Sequence, residues 1–306
     1  MKQFLKYTLL FLLPVLVIIL LVEIFYRSVP NNYTYKHELI ESQKETVETL
    51  IFGDSHTFYG LNPKYFSSKT LNMANVSQTL YFDKLLFEKY ISEMKNLKHI
   101  IIPLEYTTMS QVDNTQEDIW RKYFYAEQME LDVPLITWYD IRKYSLAFTQ
   151  KFGVTVRYYK EYKKNKTLVG CDDSGWGNTY ISAIDSTEID ELAKIISRKH
   201  DDATSDFSVN KKRLNSIIET CIAKDIQVIL VNMPVSQPYL KLLNQEEVQG
   251  IVDLTQELGF QNENVTAVNL LYDTRFQLND FHDADHLNSK GAKKCSQILN
   301  AILEAN

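Results

Sequence analysis

Thr46-Val-Glu-Thr-Leu-Ile-Phe-Gly-Asp-Ser-His56 is an apolar run that breaks at once into a glycine, a short acid and a serine. The run TVETLIF reads as a strand, and Gly53-Asp54-Ser55 as the tight turn leaving it, which can expose a serine Oγ at the edge of a sheet. The tripeptide also suits a plain turn before a helix, because Asp and Ser both favour the N-cap. The rest of the chain has to decide between the two.

Outward from this turn, Leu71 to Ala74 (LNMA) is a second short strand, and Asp83 to Lys95 (DKLLFEKYISEMK) has helical spacing. His99 to Leu104 (HIIIPL) is a continuous apolar run, as a strand buried on both faces requires. The same rhythm returns with a helix over Asn210 to Lys224, a strand over Ile226 to Asn232 (IQVILVN) and a helix near Gln245 to Leu258. A strand near Ala267 to Leu271 and a last helix over about Ser289 to Glu304 complete it. This alternation predicts an α/β fold, a parallel sheet covered by helices on both faces, with ligands at the C-terminal edge of the strands. From Tyr106 to about Phe207 the rhythm is lost. That stretch, rich in Tyr, Trp and Asp, reads as a mostly helical insertion with helices near Thr115 to Met129, Trp138 to Lys151 and Thr187 to Ser197.

The N-terminus is of another kind. Tyr7 to Phe25 (YTLLFLLPVLVIILLVEIF) is almost wholly apolar and about long enough to cross a bilayer. Lys2 and Lys6 precede it and Glu23 lies at its far end, so the positive-inside bias places the N-terminus in the cytoplasm and the bulk of the chain in the periplasm or outside the cell. The run exceeds a signal-peptide core, and LVEIFYRSVP offers no small-x-small cleavage site, which favours a retained single-pass anchor in the cell membrane. The expected organisation is an anchor over 1–27, a polar spacer over 28–45, and one α/β domain over 46–306 with the insertion at about 106–207.

Composition excludes some partners. A net charge of −6 over 306 residues gives no basic stripe, and KEYKKNK at 160–166 is too short to make one, so nucleic acid is not an expected partner. Cys171, Cys221 and Cys295 are too scattered for a disulfide framework or a metal-ligand pattern. No metal and no cofactor is expected.

The deciding support comes from the far end. Phe281-His-Asp-Ala-Asp-His-Leu-Asn-Ser-Lys-Gly-Ala292 follows the last strand and opens the last helix, with Asp283 and His286 three residues apart. A serine hydroxyl is a poor nucleophile until an imidazole takes its proton, and a carboxylate must hold that imidazole's tautomer and stabilise its cation. Ser55 with His286 and Asp283 would supply all three, Asp285 being the alternative carboxylate. His56 and His282 are assigned to the surface or to support of the site, not to catalysis.

GDSH near the start, DADHLNSKGA near the end and the parallel α/β order between them resemble the SGNH/GDSL hydrolase superfamily over residues 46–104 and 208–304. More narrowly, Asn210 to Tyr239, Gly175-Trp-Gly-Asn178 and the anchor are similar to membrane-anchored bacterial envelope proteins related to alginate and teichoic-acid acylation factors. The resemblance implies a flavodoxin-like three-layer fold, Ser55 as nucleophile, His286 as base and Asp283 as its orienting carboxylate. It also implies O-acyl transfer or deacylation on an extracytoplasmic glycan, and a membrane-bound O-acyltransferase as partner. The family's oxyanion motifs are degraded here. Ala74 stands where glycine is common, with Asn75 as a substitute amide, and the third strand ends in Leu104-Glu105 without Gly-x-Asn-Asp, Glu105 being expected at the substrate or on loop backbone. Losing one oxyanion donor costs about 10²- to 10³-fold in rate, so a non-catalytic scaffold of the same fold is the competing expectation. Trp176 is expected at the substrate, in an aromatic platform with Tyr158, Tyr159, Tyr180 and Trp138.

Overall fold

In the computed structural model, which describes residues 1–113, 118–200 and 206–305, the chain forms two compact units. One comprises residues 1–37 and 115–169, the other 38–114 and 170–306.

The first unit begins with α1 (Lys2–Ser28), long and apolar enough to cross a membrane, with a mean hydropathy of 2.9 over its most apolar stretch and none of that stretch buried. Residues 28–45 are not an open spacer. They hold α2 (Asn32–Gln43), in which Tyr33, Lys36, Leu39 and Ile40 are buried, a one-sided spacing hidden in a segment that is polar on average. The expected helix over 115–129 is present as Arg121–Gln128, its first residues lying outside the described ones. Trp138 to Lys151 is not a helix but two 3₁₀ turns, Ile141–Lys143 and Leu146–Phe148. Asp140 explains part of this, because its carboxylate takes the Arg142 N–H and caps a short turn in place of a continuing helix. A long helix, Phe152–Asn165, was not expected from the sequence. It ends on Lys166 in a left-handed conformation.

The second unit carries a five-stranded parallel sheet in the order β2-β1-β3-β4-β5, from β1 (Thr49–Ile51), β2 (Thr70–Asn72), β3 (His99–Pro103), β4 (Gln227–Asn232) and β5 (Val265–Asn269). This is the flavodoxin-like order, whose switch point lies where the chain leaves β1 for opposite sides of the sheet. Helices Leu80–Tyr90 and Ser208–Ala223 pack against each other, and bury Leu86, Phe87, Leu214 and Ile218. Ile51, Ile101, Ile229 and Val231 gather with Cys295 and Leu299 of the last helix, Ser289–Ala305, in one core. Each such fully buried aliphatic side chain contributes roughly 1.5 to 3 kcal/mol, so the short strands are fixed by the layers that cover them. Register is continuous: Leu50 pairs with both Leu71 and Ile100, and Ile101 with Ile229. The ends of β1 and β3 therefore meet at one edge.

Candidate active site

Gly53 sets the geometry of the first loop. It adopts φ +114°, and a Cβ there would lie 2.3 Å from the Pro103 ring and 2.6 Å from Thr57 Oγ1, so only glycine lets the chain turn this tightly over the end of β3. Asp83 holds the turn from below, its Oδ1 accepting the Gly53 N–H at 3.0 Å and the Gln78 side-chain amide at 2.6 Å. Asp54 caps the short helix Ser55–Gly60 by accepting the His56 N–H. Ser55 thus stands on the first residue of a helix at the sheet edge.

The second loop, residues 279–288, is closed on itself. Asn288 donates to the carbonyls of Asn279 and Phe281 and accepts the N–H groups of Lys290 and Gly291, which starts the last helix. Gly291 approaches so closely that a Cβ would sit 2.2 Å from the Asp280 carbonyl oxygen. Within the loop Asp283 Oδ1 accepts the N–H groups of Asp285 and His286, which pins the carboxylate beside the imidazole.

The two loops bring Ser55, His286 and Asp283 together. Ser55 Oγ lies 2.8 Å from His286 Nε2, and His286 Nδ1 lies 3.0 Å from both carboxylate oxygens of Asp283. Asp285 adds a second carboxylate to the same nitrogen at 3.1 Å. Burial works against the charge on His286, but Asp285 and Asp283 outweigh it and hold the imidazole up at about 9. Asp285, itself buried, is kept well below the usual carboxylate range by His286 and His56.

Beneath the triad lies a polar cluster that the sequence did not reveal. His56 is buried and stacks on His286 with ring centres 4.9 Å apart. Its Nδ1 contacts Glu105 at 2.7 Å and Asp54 at 3.1 Å, while its Nε2 lies 3.4 Å from Asp285, a charge contact more than a hydrogen bond. Burial disfavours the His56 cation, yet Glu105 and Asp54 raise its pKa well above the ordinary value. Burial raises the Glu105 carboxyl against the pull of His56. His56 is therefore a buried support, not a surface residue. Glu105 meets this imidazole where loop backbone or substrate had been expected.

The Ala74 N–H is committed to Asn72 Oδ1 at 3.0 Å and the Asn75 N–H to the Gly53 carbonyl at 3.1 Å. Trp176, expected at the substrate, is turned inward, with its indole N–H donating 2.7 Å to the Tyr59 carbonyl. Its neighbours explain why: a Cβ on Gly175 would lie 2.1 Å from Asn72 O, and one on Gly177 would enter the Phe58 and Tyr59 rings. The Gly-Trp-Gly strap is a clamp on β2 and on the helix bearing Ser55. The aromatic rim is made instead by Tyr180, stacked between Tyr59 at 3.7 Å and His282 at 4.0 Å, with His286 edge-on to Tyr180 and Tyr59. Tyr158, Tyr159 and Trp138 belong to the other unit. His56, Asp285 and His286, or Asp54, His56 and Glu105, bring ligand atoms close enough for an ion, but their mutual charge pairing already accounts for the proximity.

No protein-family model matches the chain, and no curated protein matches it in sequence. Among solved structures it is similar to a candidate platelet activating factor from Streptococcus pneumoniae (13% identity, TM-score 0.44, covering 89% of this chain and 91% of that one). It is also similar to a GDSL-like lipase from Bacteroides thetaiotaomicron (11%, TM-score 0.39, 89% and 100%). A third is a candidate acylhydrolase from Bacteroides fragilis (14%, TM-score 0.39, 87% and 94%). The strand order, the serine at the end of β1 and the Asp-x-x-His loop before the last helix make an α/β fold with a Ser-His-Asp constellation at the edge of its sheet.

Proposed function

We propose that this chain is a membrane-anchored serine acyltransferase or esterase acting on an extracytoplasmic polysaccharide, with Ser55 as nucleophile, His286 as general base and acid, and Asp283 as its orienting carboxylate. The 2.8 Å contact of Ser55 Oγ with His286 Nε2, backed by Asp283 on Nδ1, carries the reading. Ser55 Oγ attacks the ester carbonyl while His286 Nε2 takes the hydroxyl proton. Collapse of the tetrahedral adduct breaks the ester bond, and His286 returns that proton to the departing alkoxide. A sugar hydroxyl or water then attacks the acyl-serine, giving its proton to His286, and Ser55 leaves as a free hydroxyl. The Ser55 N–H, in the first helical turn and so outside the intrahelical ladder, is the oxyanion donor this arrangement offers. The domain stands on the periplasmic or extracellular side, where a glycan is the acceptor and a membrane-bound O-acyltransferase supplies the acyl group.

A second reading, a glycan-binding scaffold without turnover, is favoured by the Ala74 N–H being taken by Asn72 Oδ1 and by the third strand ending in Leu104-Glu105 without Gly-x-Asn-Asp. The full chain in detergent, offered p-nitrophenyl acetate and a serine-reactive fluorophosphonate, separates the two. Labelling and turnover that vanish in Ser55→Ala and His286→Ala establish the acyl-enzyme. A wild-type chain that neither labels nor exceeds the variants leaves the scaffold, or a transferase that works only beside its membrane partner.

A further inference from the structure

The first unit carries an exposed aromatic segment that the serine chemistry does not use. Between 138 and 152, Trp138 is 76% exposed, Tyr144 62% and Phe152 69%, with Tyr139, Ile141 and Phe148 also exposed. Apolar side chains in such density do not stay in water without a partner. Their attachment identifies the partner. Glu23, where the apolar run of α1 ends, accepts from Ser145 Oγ at 2.7 Å and from the Ala147 N–H at 2.9 Å, while Leu146 between them is buried. One turn on, Tyr26 bonds Thr155 at 2.8 Å, and Phe25 packs edge-on to Tyr159 and Tyr162.

The segment is thus fixed at one height along α1. Leu20, Leu21 and Ile24 of that helix are each more than half exposed and flank Glu23. With a rise of about 1.5 Å per residue, lipid that covers Ile24 reaches the level of Glu23 and of the loop bound to it. Exposed Lys143 and Lys151 alternate with the aromatic residues, the mixture that suits a headgroup layer, where Trp and Tyr rings sit at the apolar boundary and lysines meet phosphate.

We propose that residues 138–152 form a second membrane-contacting element, an aromatic collar lying in the headgroup region of the leaflet from which α1 emerges. The partner is the phospholipid bilayer itself, and the collar restrains the first unit against the surface, which a single helix does not do. The inference rests on the proposed reading of α1 as a membrane anchor and is independent of the serine chemistry.

The test uses the full chain in phosphatidylcholine vesicles whose lipids carry bromine near the top of the acyl chains. The chain has three tryptophans, of which Trp176 is buried. Shallow bromines are expected to quench a share of the emission that is missing from Trp138→Phe, while esterase activity of that variant is unchanged. Equal quenching in wild type and Trp138→Phe overturns the proposal. A nitroxide on Tyr144→Cys gives a second reading. Greater accessibility to oxygen than to an aqueous nickel complex supports the collar, and the reverse order overturns it, leaving a surface open to a protein partner.

Discussion

Two imidazoles lie 4.9 Å apart in this protein, each against two or more carboxylates, and their surroundings give them different work. His286 stands in the loop before the last helix, reaches Ser55 with one nitrogen and spends the other on Asp283 and Asp285. His56, on the short helix after β1, has Glu105 and Asp54 on one nitrogen and Asp285 near the other. Residue type and charge environment are shared, but access is not. An imidazole with one nitrogen on a nucleophile can exchange a proton with it. One enclosed by carboxylates is held toward its cation, and it offsets the charge of one buried acid, Asp285, and two partly buried ones, Asp54 and Glu105.

The largest effect should come from breaking the His286 side. Asp283→Asn would leave Ser55 and His286 in place but weaken the hold on the imidazole tautomer, and a rate loss of up to about 10⁴-fold is expected in ester hydrolysis. Asp285→Asn tests the other carboxylate through the pH profile. With the His286 imidazole held up at about 9, the free base is about one part in a hundred at pH 7, so kcat/KM should climb about tenfold per pH unit and level off near pH 9. Removing the Asp285 charge, the largest influence favouring the cation, should move that limb toward the ordinary histidine value. A profile that is flat from pH 7 upward in wild type, or a limb unmoved in Asp285→Asn, would deny His286 the role of base.

Next comes the His56 side. His56→Gln keeps a polar side chain of similar reach but leaves Glu105 and Asp54 without their cation, while Asp285 keeps His286. Breaking a buried ion pair by removing one partner costs roughly 3 to 5 kcal/mol, and thermal melting of the full chain in detergent should show it. The sign with pH is fixed. The folded-state pKa of His56 is raised, so its stabilisation is complete below the unfolded histidine value and is lost as pH rises through the folded one. The gap between wild type and His56→Gln should be widest in mild acid and close in alkali. A gap independent of pH would mean that His56 contributes packing and not charge.

The unequal visibility of these parts in the sequence has a physical cause. The turn at Ser55, the Asp283/His286 pair and the five strands are local patterns, a glycine beside a nucleophile or a buried apolar run, and local patterns survive in one dimension. His56 could be seen but not placed, because its partners come from the end of β3 and from the last loop. Glu105 and Trp176 were misplaced for the same reason: a buried acid and an inward-turned indole read the same in sequence as exposed ones. The helix Phe152–Asn165 and α2 were hidden by polar, Tyr- and Lys-rich composition: the first buries only Thr155, and α2 buries Tyr33, Lys36, Leu39 and Ile40 in a segment that is polar on average.

Asp83, whose place beneath the Gly53 turn no local pattern announces, provides the smallest and sharpest test. It lies in the first turn of the helix after β2, is fully buried, and uses one oxygen for the Gly53 N–H and the Gln78 amide. Its other oxygen has no hydrogen-bond partner among the described residues. Burial accordingly pushes its carboxyl up to about 7. A carboxyl raised on folding holds its proton longer in the native than in the unfolded state, so stability falls as pH rises from about 4 to about 7 and then levels. Asp83→Asn keeps an acceptor for Gly53 and removes the ionisation. Relative to wild type it should gain stability between pH 5 and pH 8, by on the order of 1 to 4 kcal/mol, with ester hydrolysis altered only a few fold. If Asp83→Asn instead loses stability equally at both pH values, the buried acid is ionised throughout, and the Gly53 turn needs its charge as well as its shape.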